Sequence, residues 1–290
     1  MHVALQIFFD ALLLVGIYAI GALGFALIWG VLNLLNLAHG AFIMLGAYST
    51  FFLWRAGLDP LLALPVTMAV MFAFGWLLQR YVFDFMVNGP PSQSIALTFG
   101  VNLVLMGVAL RVFTGEYRSI VVPPYLQGFV DIGGARLTYA RIATIVIALG
   151  LTAALWWFMD RTEKGQAIRA TRLDLDAARL VGVDVQQIYS LTTAISAAMA
   201  GAAGGLIALV YSVSPQMADP YLMQIFIVTV LGGLGSMVGP LVGAAVVGVT
   251  NSAVASLVGA TYSSLVGAGI VFLILVVRPG GLFGRRFYEG

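Results

Sequence analysis

Few side chains in this chain of 290 residues could take part in chemistry, and those few are grouped. Asn33, Asn36 and His39 recur at intervals of three and are followed by Gly40. At helical spacing the three polar residues share one face. Such a face can hydrogen-bond a neighbouring helix and fix its packing, or it can line the path of a polar solute. Gly40 permits close approach or a break. In the second half, Gly232, Gly233, Gly235 and Ser236 lead into Gly239-Pro240, a pattern that reads either as a tight hairpin or as an interruption within re-entrant helices. A third group, residues 160–184, holds ten charged side chains between long stretches that have almost none.

What these residues cannot do is as informative. The absence of cysteine rules out disulfides, thiolate metal sites and cysteine nucleophiles. A hydrolase needs a nucleophile within hydrogen-bond reach of its base, and His39 has no recognisable serine-elbow partner. The sole lysine, Lys164, lies in Thr162-Glu163-Lys164-Gly165, so no phosphate-cradling loop ending in Gly-Lys-Ser/Thr exists. The glycines at 232–239 have neither the spacing nor the strand–helix setting of a dinucleotide fingerprint. Nucleotide chemistry, if used, must sit on another chain. A net charge of +2 gives nucleic-acid binding no support.

The elements that position these residues are membrane helices. Mean hydropathy is +1.02, with 61% hydrophobic and 9% charged residues, far from the quarter charged in soluble domains. From Ala11 to Trp54 the only ionisable side chain of acid or base type is His39; from Val185 to Val277 it is Asp219. Each run exceeds the roughly 20 apolar residues that cross a bilayer once. Helix-length windows place spans near 8–30, 37–54, 61–80, 93–113, 139–159, 188–210, 221–238, 241–258 and 262–278. The expected fold is therefore all-α: a single polytopic bundle over residues 1–290, with eight to ten spans and broken or re-entrant helices. The stretch from Ile7 to Gly30 has no positive leading region and runs into further apolar sequence, so it reads as a retained span rather than a signal peptide.

Turn signals at Gly57-Leu58-Asp59-Pro60, Asn88-Gly89-Pro90-Pro91, Val122-Pro123-Pro124 and Ser214-Pro215 punctuate the spans. With the charged island inside, alternation puts Arg80, Arg161, Lys164, Arg169, Arg172, Arg179, Arg278, Arg285 and Arg286 inside, and Arg55, Arg111, Arg118, Arg136 and Arg141 outside. That bias follows the positive-inside rule and leaves the N-terminus external. Asp10 and Asp219 fall at predicted span edges. Asn102, Gln224 and Asn251 read as structural polar residues, and the glycine–alanine clusters as sites of close helix packing. Arg278, Arg285 and Arg286 suit anchoring at the inner headgroups.

Within the island, Asp174 is placed to cap a two-turn helix that ends before Gly182, and residues 162–171 predict a second short helix. Leu175, Leu180 and Val181 beside Ala177 and Ala178 make a slim apolar plug between charges. It either docks in a groove of a partner or is a solvated interfacial loop.

The string GQAIRATRLDLDAARLVG, Gly165 to Gly182, resembles the coupling loop of ABC importer permeases. Asp176-Ala177-Ala178 and Gly182 stand for its acid–alanine–alanine and glycine elements. With NLLNLAHGAFIMLGAY (33–48), VTVLGGLGSMVGPLVGA (228–244) and VRPGGLFG (277–284), the whole chain resembles the H-type permease subunit of branched-chain amino acid importers. It departs from many relatives at Ala41, where an acidic residue follows the His-Gly pair.

The resemblance implies a transport subunit, not an enzyme, in the cytoplasmic membrane of a bacterium or archaeon. Its partners would be membrane lipid, a second homologous permease, two cytoplasmic ABC ATPase subunits that hold ATP and Mg, and a periplasmic or extracellular substrate-binding protein. No cofactor or metal is expected on this chain. Residues 160–187 would be the coupling loop, with Arg169, Asp174, Leu175, Asp176, Ala177, Ala178, Arg179 and Gly182 meeting the ATPase. Asn33, Asn36, His39, Gly40, Gly232, Gly233, Gly235 and Ser236 would line or gate the pathway. The competing reading is an ion-coupled secondary transporter, whose proton-coupled form would need intramembrane ionisable groups beyond His39. A channel would need no coupling loop.

Overall fold

The structure is a computed structural model and describes residues 2–85, 89–278 and 280–283. Asn88 of the predicted turn, Pro279 and Gly284 of the C-terminal motif, and Arg285 and Arg286 lie outside the described residues.

Eleven α-helices follow the order α1 (His2–Leu32), α2 (His39–Arg55), α3 (Pro60–Leu78), α4 (Pro91–Phe113), α5 (Tyr139–Arg161), α6 (Glu163–Leu173), α7 (Leu175–Leu180), α8 (Val185–Val210), α9 (Ala218–Gly232), α10 (Gly239–Leu257) and α11 (Ala260–Val277). A short antiparallel hairpin, β1 (Phe129–Ile132) and β2 (Ala135–Thr138), with Phe129 opposite Thr138, interrupts the helices between α4 and α5. A π-helical turn, Gln79–Phe83, continues α3. It is held to α8 by the Thr193 hydroxyl donating to Gln79 (2.6 Å) and the Gln186 amide donating to Asp84 (3.0 Å).

The bundle is built around α1 and α8. Their apolar windows are 83% and 89% buried within the chain, whereas that of α4 is 17% buried, so α4 is peripheral. Small residues explain the central pairing, because without a hydrophobic drive in lipid, helices associate where backbones can approach closely. A Cβ on Gly24 of α1 would press on the Ser196 carbonyl of α8, and α2 joins them in the same way, since a Cβ on Gly204 of α8 would meet its Ile43 carbonyl. Depth can be read along α1. Gly21 lies eleven residues from Asp10, which is ion-paired to Arg141, and eleven from Leu32, about 16 Å of helix each way. That total matches a hydrocarbon core of roughly 30 Å, so Gly21 marks mid-depth.

All nine predicted hydrophobic segments form helices, but among the described residues six are long and apolar enough to cross a membrane, fewer than the eight to ten expected. The reason is the two breaks. α2 has 17 residues and α9 has 15, about 25 and 22 Å of helix, and both begin part-way through the bundle. α11 carries a shorter apolar stretch, Thr261–Ile274. The predicted span 221–238 is corrected accordingly: α9 stops at Gly232, and a tight turn, with Gly233 and Gly235 at φ 103° and 81°, hands over to α10. Of the two readings of the glycine cluster, the hairpin is the one found.

Candidate functional site

Asn33, Asn36 and His39 do not share a helical face. α1 ends at Leu32, Asn33 takes a positive φ of 50°, and the chain runs without helix to Ala38. The polar residues that suggested a face instead build the break. The Asn36 side-chain oxygen accepts from Ala38 N (3.1 Å), and the Asn36 carbonyl accepts from His39 N (3.2 Å), which closes the turn that starts α2. This is the local competition by which asparagine diverts backbone from a continuous helix.

His39 is fully buried, and its Nε2 donates to the Gly21 carbonyl (3.0 Å). A carbonyl only accepts, so the proton is on Nε2 and Nδ1 is left as an acceptor. Nδ1 and the Asn36 Nδ2 are buried without a hydrogen-bond partner among the described residues. The His39 ring meets Phe25 edge-on at 5.5 Å and lies 6.3 Å from Phe42. Because Gly21 marks mid-depth, α2 starts near the middle of the bilayer. Gly40 then packs against the start of α9, where any side chain would strike the Ala218 carbonyl and Leu222. Two short helices thus begin against each other inside the bundle.

The second group gathers at the opposite end of α1. A cavity of about 620 Å³ is lined by Trp29, Gly30 and Asn33 from the α1 end, Arg169, Arg172 and Leu173 from α6, and Leu234 to Met237 from the α9–α10 turn, with Phe283. Asn33, Gly235, Ser236 and Arg169 of the sequence-derived set therefore meet around one space, on the side that carries the charged island. Asn36, His39 and Gly40 do not line it, and neither do Gly232 and Gly233. Gly232 sits where a side chain would strike the Gly239 backbone, which closes the α9–α10 hairpin, and Ser236 Oγ accepts from Gly239 N (2.9 Å).

The island folds as read, with adjusted faces. Thr162 caps α6, its oxygen accepting from Gly165 N (3.0 Å). Asp174 caps α7, its Oδ1 accepting from the N–H groups of Asp176 (3.0 Å) and Ala177 (2.9 Å). Gly182 follows at φ 84°, the left-handed conformation that suits glycine at a helix end. Arg169 reaches back to the Asp160 carboxylate at 2.8 Å, tying α6 to the end of α5. Asp176 and Arg179 lie 3.6 Å apart on the exposed face. Leu180 and Val181 are 89% and 78% exposed, but Ala178 is buried against the bundle and Leu175 is part-buried. The plug is thus formed by Leu180 and Val181 with Ala177 and the exposed Leu173, a residue the capping signals did not single out.

One residue escaped its sequence reading. Asp219 is in the first turn of α9, not at a membrane edge, and Asn102 of α4 donates to its carboxylate at 3.4 Å. The available signal was that Asp219 is the single acid in residues 185–277. Asn251 donates to Tyr18 (3.3 Å) and to Gln224 (3.2 Å), a polar tie among α1, α9 and α10.

Long apolar helices packed with two short ones, with a cavity and a charged helical loop at one end, define a polytopic membrane permease. The chain belongs to the family described as branched-chain amino acid transport system / permease component, which matches residues 7–276. It is 28% identical over 304 residues to the high-affinity branched-chain amino acid transport system permease protein LivH of Salmonella typhimurium, covering 98% of this chain and 97% of that one. It is 29% identical over 287 residues to BraD of Pseudomonas aeruginosa, covering 94% and 93%. Among solved structures, PsaBC from Streptococcus pneumoniae in complex with Fab is similar in fold, with a TM-score of 0.51 at 17% identity over 98% of this chain and 94% of that one.

Proposed function

We propose that this permease forms half of the translocation pathway of an ATP-driven importer of branched-chain amino acids or closely related small amphipathic solutes. Its partners in this reading are a second homologous permease, two ABC ATPases on the cytoplasmic side and a binding protein outside, with ATP and Mg held by the ATPases. Residues 160–187 are the coupling loop, and Arg169, Asp174, Leu175, Asp176, Ala177, Ala178, Arg179 and Gly182 are its working residues. The substrate follows the names of the full-length relatives.

The observation that carries the proposal is the build of α6 and α7. A capped helix holds Leu180 and Val181 out among charges, while α6 contributes Arg169, Arg172 and Leu173 to the cavity beside the α9–α10 turn. A push on α7 has a short, rigid route to that cavity. The Asn33 break and the α9–α10 turn at Gly233–Ser236 give the pathway its moving ends, because free helix termini and unwound backbone are where transporters bind and switch.

The test is Leu180→Asp with Val181→Asp in the assembled transporter. A charge placed in an apolar docking contact should abolish uptake and substrate-stimulated ATP hydrolysis, with the permease still inserted and folded. Uptake at the unmodified level would refute the coupling role.

A further inference from the structure

Asp219 carries a charge at a depth where charges are expensive. Asn102, its hydrogen-bond partner at 3.4 Å, is eleven residues from both Pro91 and Phe113, about 16 Å of α4 either way. A second measure agrees. Ala218 abuts Gly40, and the neighbouring His39 is bonded to Gly21, the mid-depth mark of α1. The carboxylate is therefore held near the middle of the bilayer, on a residue that is exposed on this chain. Ionisable groups at that depth face a water-filled cavity or a partner, not lipid. No ion pair involves Asp219 among the described residues.

The second observation is Asn102 itself. The residue is buried, and its Oδ1 has no partner among the described residues although its amide nitrogen faces Asp219. The Asn102 amide thus satisfies one carboxylate oxygen, Oδ1, and no hydrogen bond reaches Oδ2 among the described residues. An ammonium group offers three donors and a positive charge and fits the exposed carboxylate; an anion or a carbonyl does not.

We infer that the Asp219 carboxylate, positioned by the Asn102 amide, forms the mid-membrane contact for the ammonium group of the transported solute, on the exposed surface where this permease meets its pathway. The inference rests on the amino acid importer reading above and adds to it the residue that recognises the amino group inside the membrane.

The experiment uses the assembled transporter in proteoliposomes with leucine as solute. Asp219→Asn keeps size and removes charge. Its uptake should fall about tenfold or more, the scale of a lost charge-assisted hydrogen bond, while ATP hydrolysis without solute stays within about twofold; Asp219→Glu should recover part of the uptake. Because the chain has no cysteine, Asp219→Cys supplies a single thiol. It should react with a water-soluble cationic thiosulfonate, and leucine should slow that reaction. Unchanged uptake by an assembled Asp219→Asn transporter overturns the inference. So does a thiol at 219 that no water-soluble reagent reaches, which would place Asp219 in a dry contact with the second permease. Solute uptake by the unmodified chain under an ion gradient without ATP would defeat the importer reading as well, whereas the variant results defeat this assignment alone.

Discussion

At the scale of single residues, small and polar side chains here act by where they let the backbone go. Gly40 is the sharpest case, since the starts of α2 and α9 touch across it. Gly40→Val would drive its Cβ into the Ala218 carbonyl and Leu222. Overpacking a tight contact costs typically 1–3 kcal/mol, so we expect a lowered Tm of the detergent-solubilised complex of several degrees, about 2–4 °C per kcal/mol. Thermal unfolding followed by size-exclusion chromatography checks this; an unchanged Tm would show that the two helix ends are free to part. His39 contributes one hydrogen bond to Gly21 and an edge-on contact to Phe25. Side-chain hydrogen bonds inside membrane proteins average about 0.6 kcal/mol, so His39→Leu should be mild for stability. A large loss of uptake in a stable His39→Leu protein would mark the buried Nδ1 as functional, and transport assays at matched expression read that directly.

At the scale of elements, α7 is short enough that its cap decides whether it exists. Six residues cannot hold a helix by propagation, because nucleation is unfavourable and only a few bonds are gained. Asp174 satisfies two of the first N–H groups, and removing such a cap costs about 1 kcal/mol. Asp174→Ala should therefore raise hydrogen exchange at residues 175–181 and weaken stimulation of ATP hydrolysis, whereas Asp174→Asn or Asp174→Ser, which keep a capping oxygen, should retain most of both. Equal behaviour of the alanine and serine variants would show that the loop does not depend on a preformed helix.

At the scale of the molecule, orientation is the property most open to direct measurement. α1, α3 and α5 end on the side that holds α6 and α7, while Arg55, the β1–β2 hairpin and the α5 start lie on the other side. In a cysteine-free chain, a thiol at Val181 should be labelled by impermeant reagent only from the cytoplasmic face, and one at Arg136 only from the outer face. Labelling of both from one face would overturn the topology. The peripheral faces of α3, α4 and α5 expose many large apolar side chains, as expected for surfaces covered by lipid or a second permease.

The sequence by itself determined the class and the loop. Hydropathy runs demand membrane helices, because no other open backbone arrangement satisfies its polar groups in lipid. The signals around Asp174 and Gly182 are local, and local chemistry is what a sequence displays. Tertiary structure decided depth and company. Asn33, Asn36 and His39 look like a helical face by spacing alone, yet Asn36 turns the chain and His39 is drawn to a carbonyl eighteen residues back. Asp219 looks like a membrane-edge residue because its helix follows a polar turn. Only the packing of α9 against α2, with the Asn102 amide of α4 on its carboxylate, places it at mid-depth, since hydropathy counts residues along the chain and cannot register a segment that re-enters the bilayer before its helix begins.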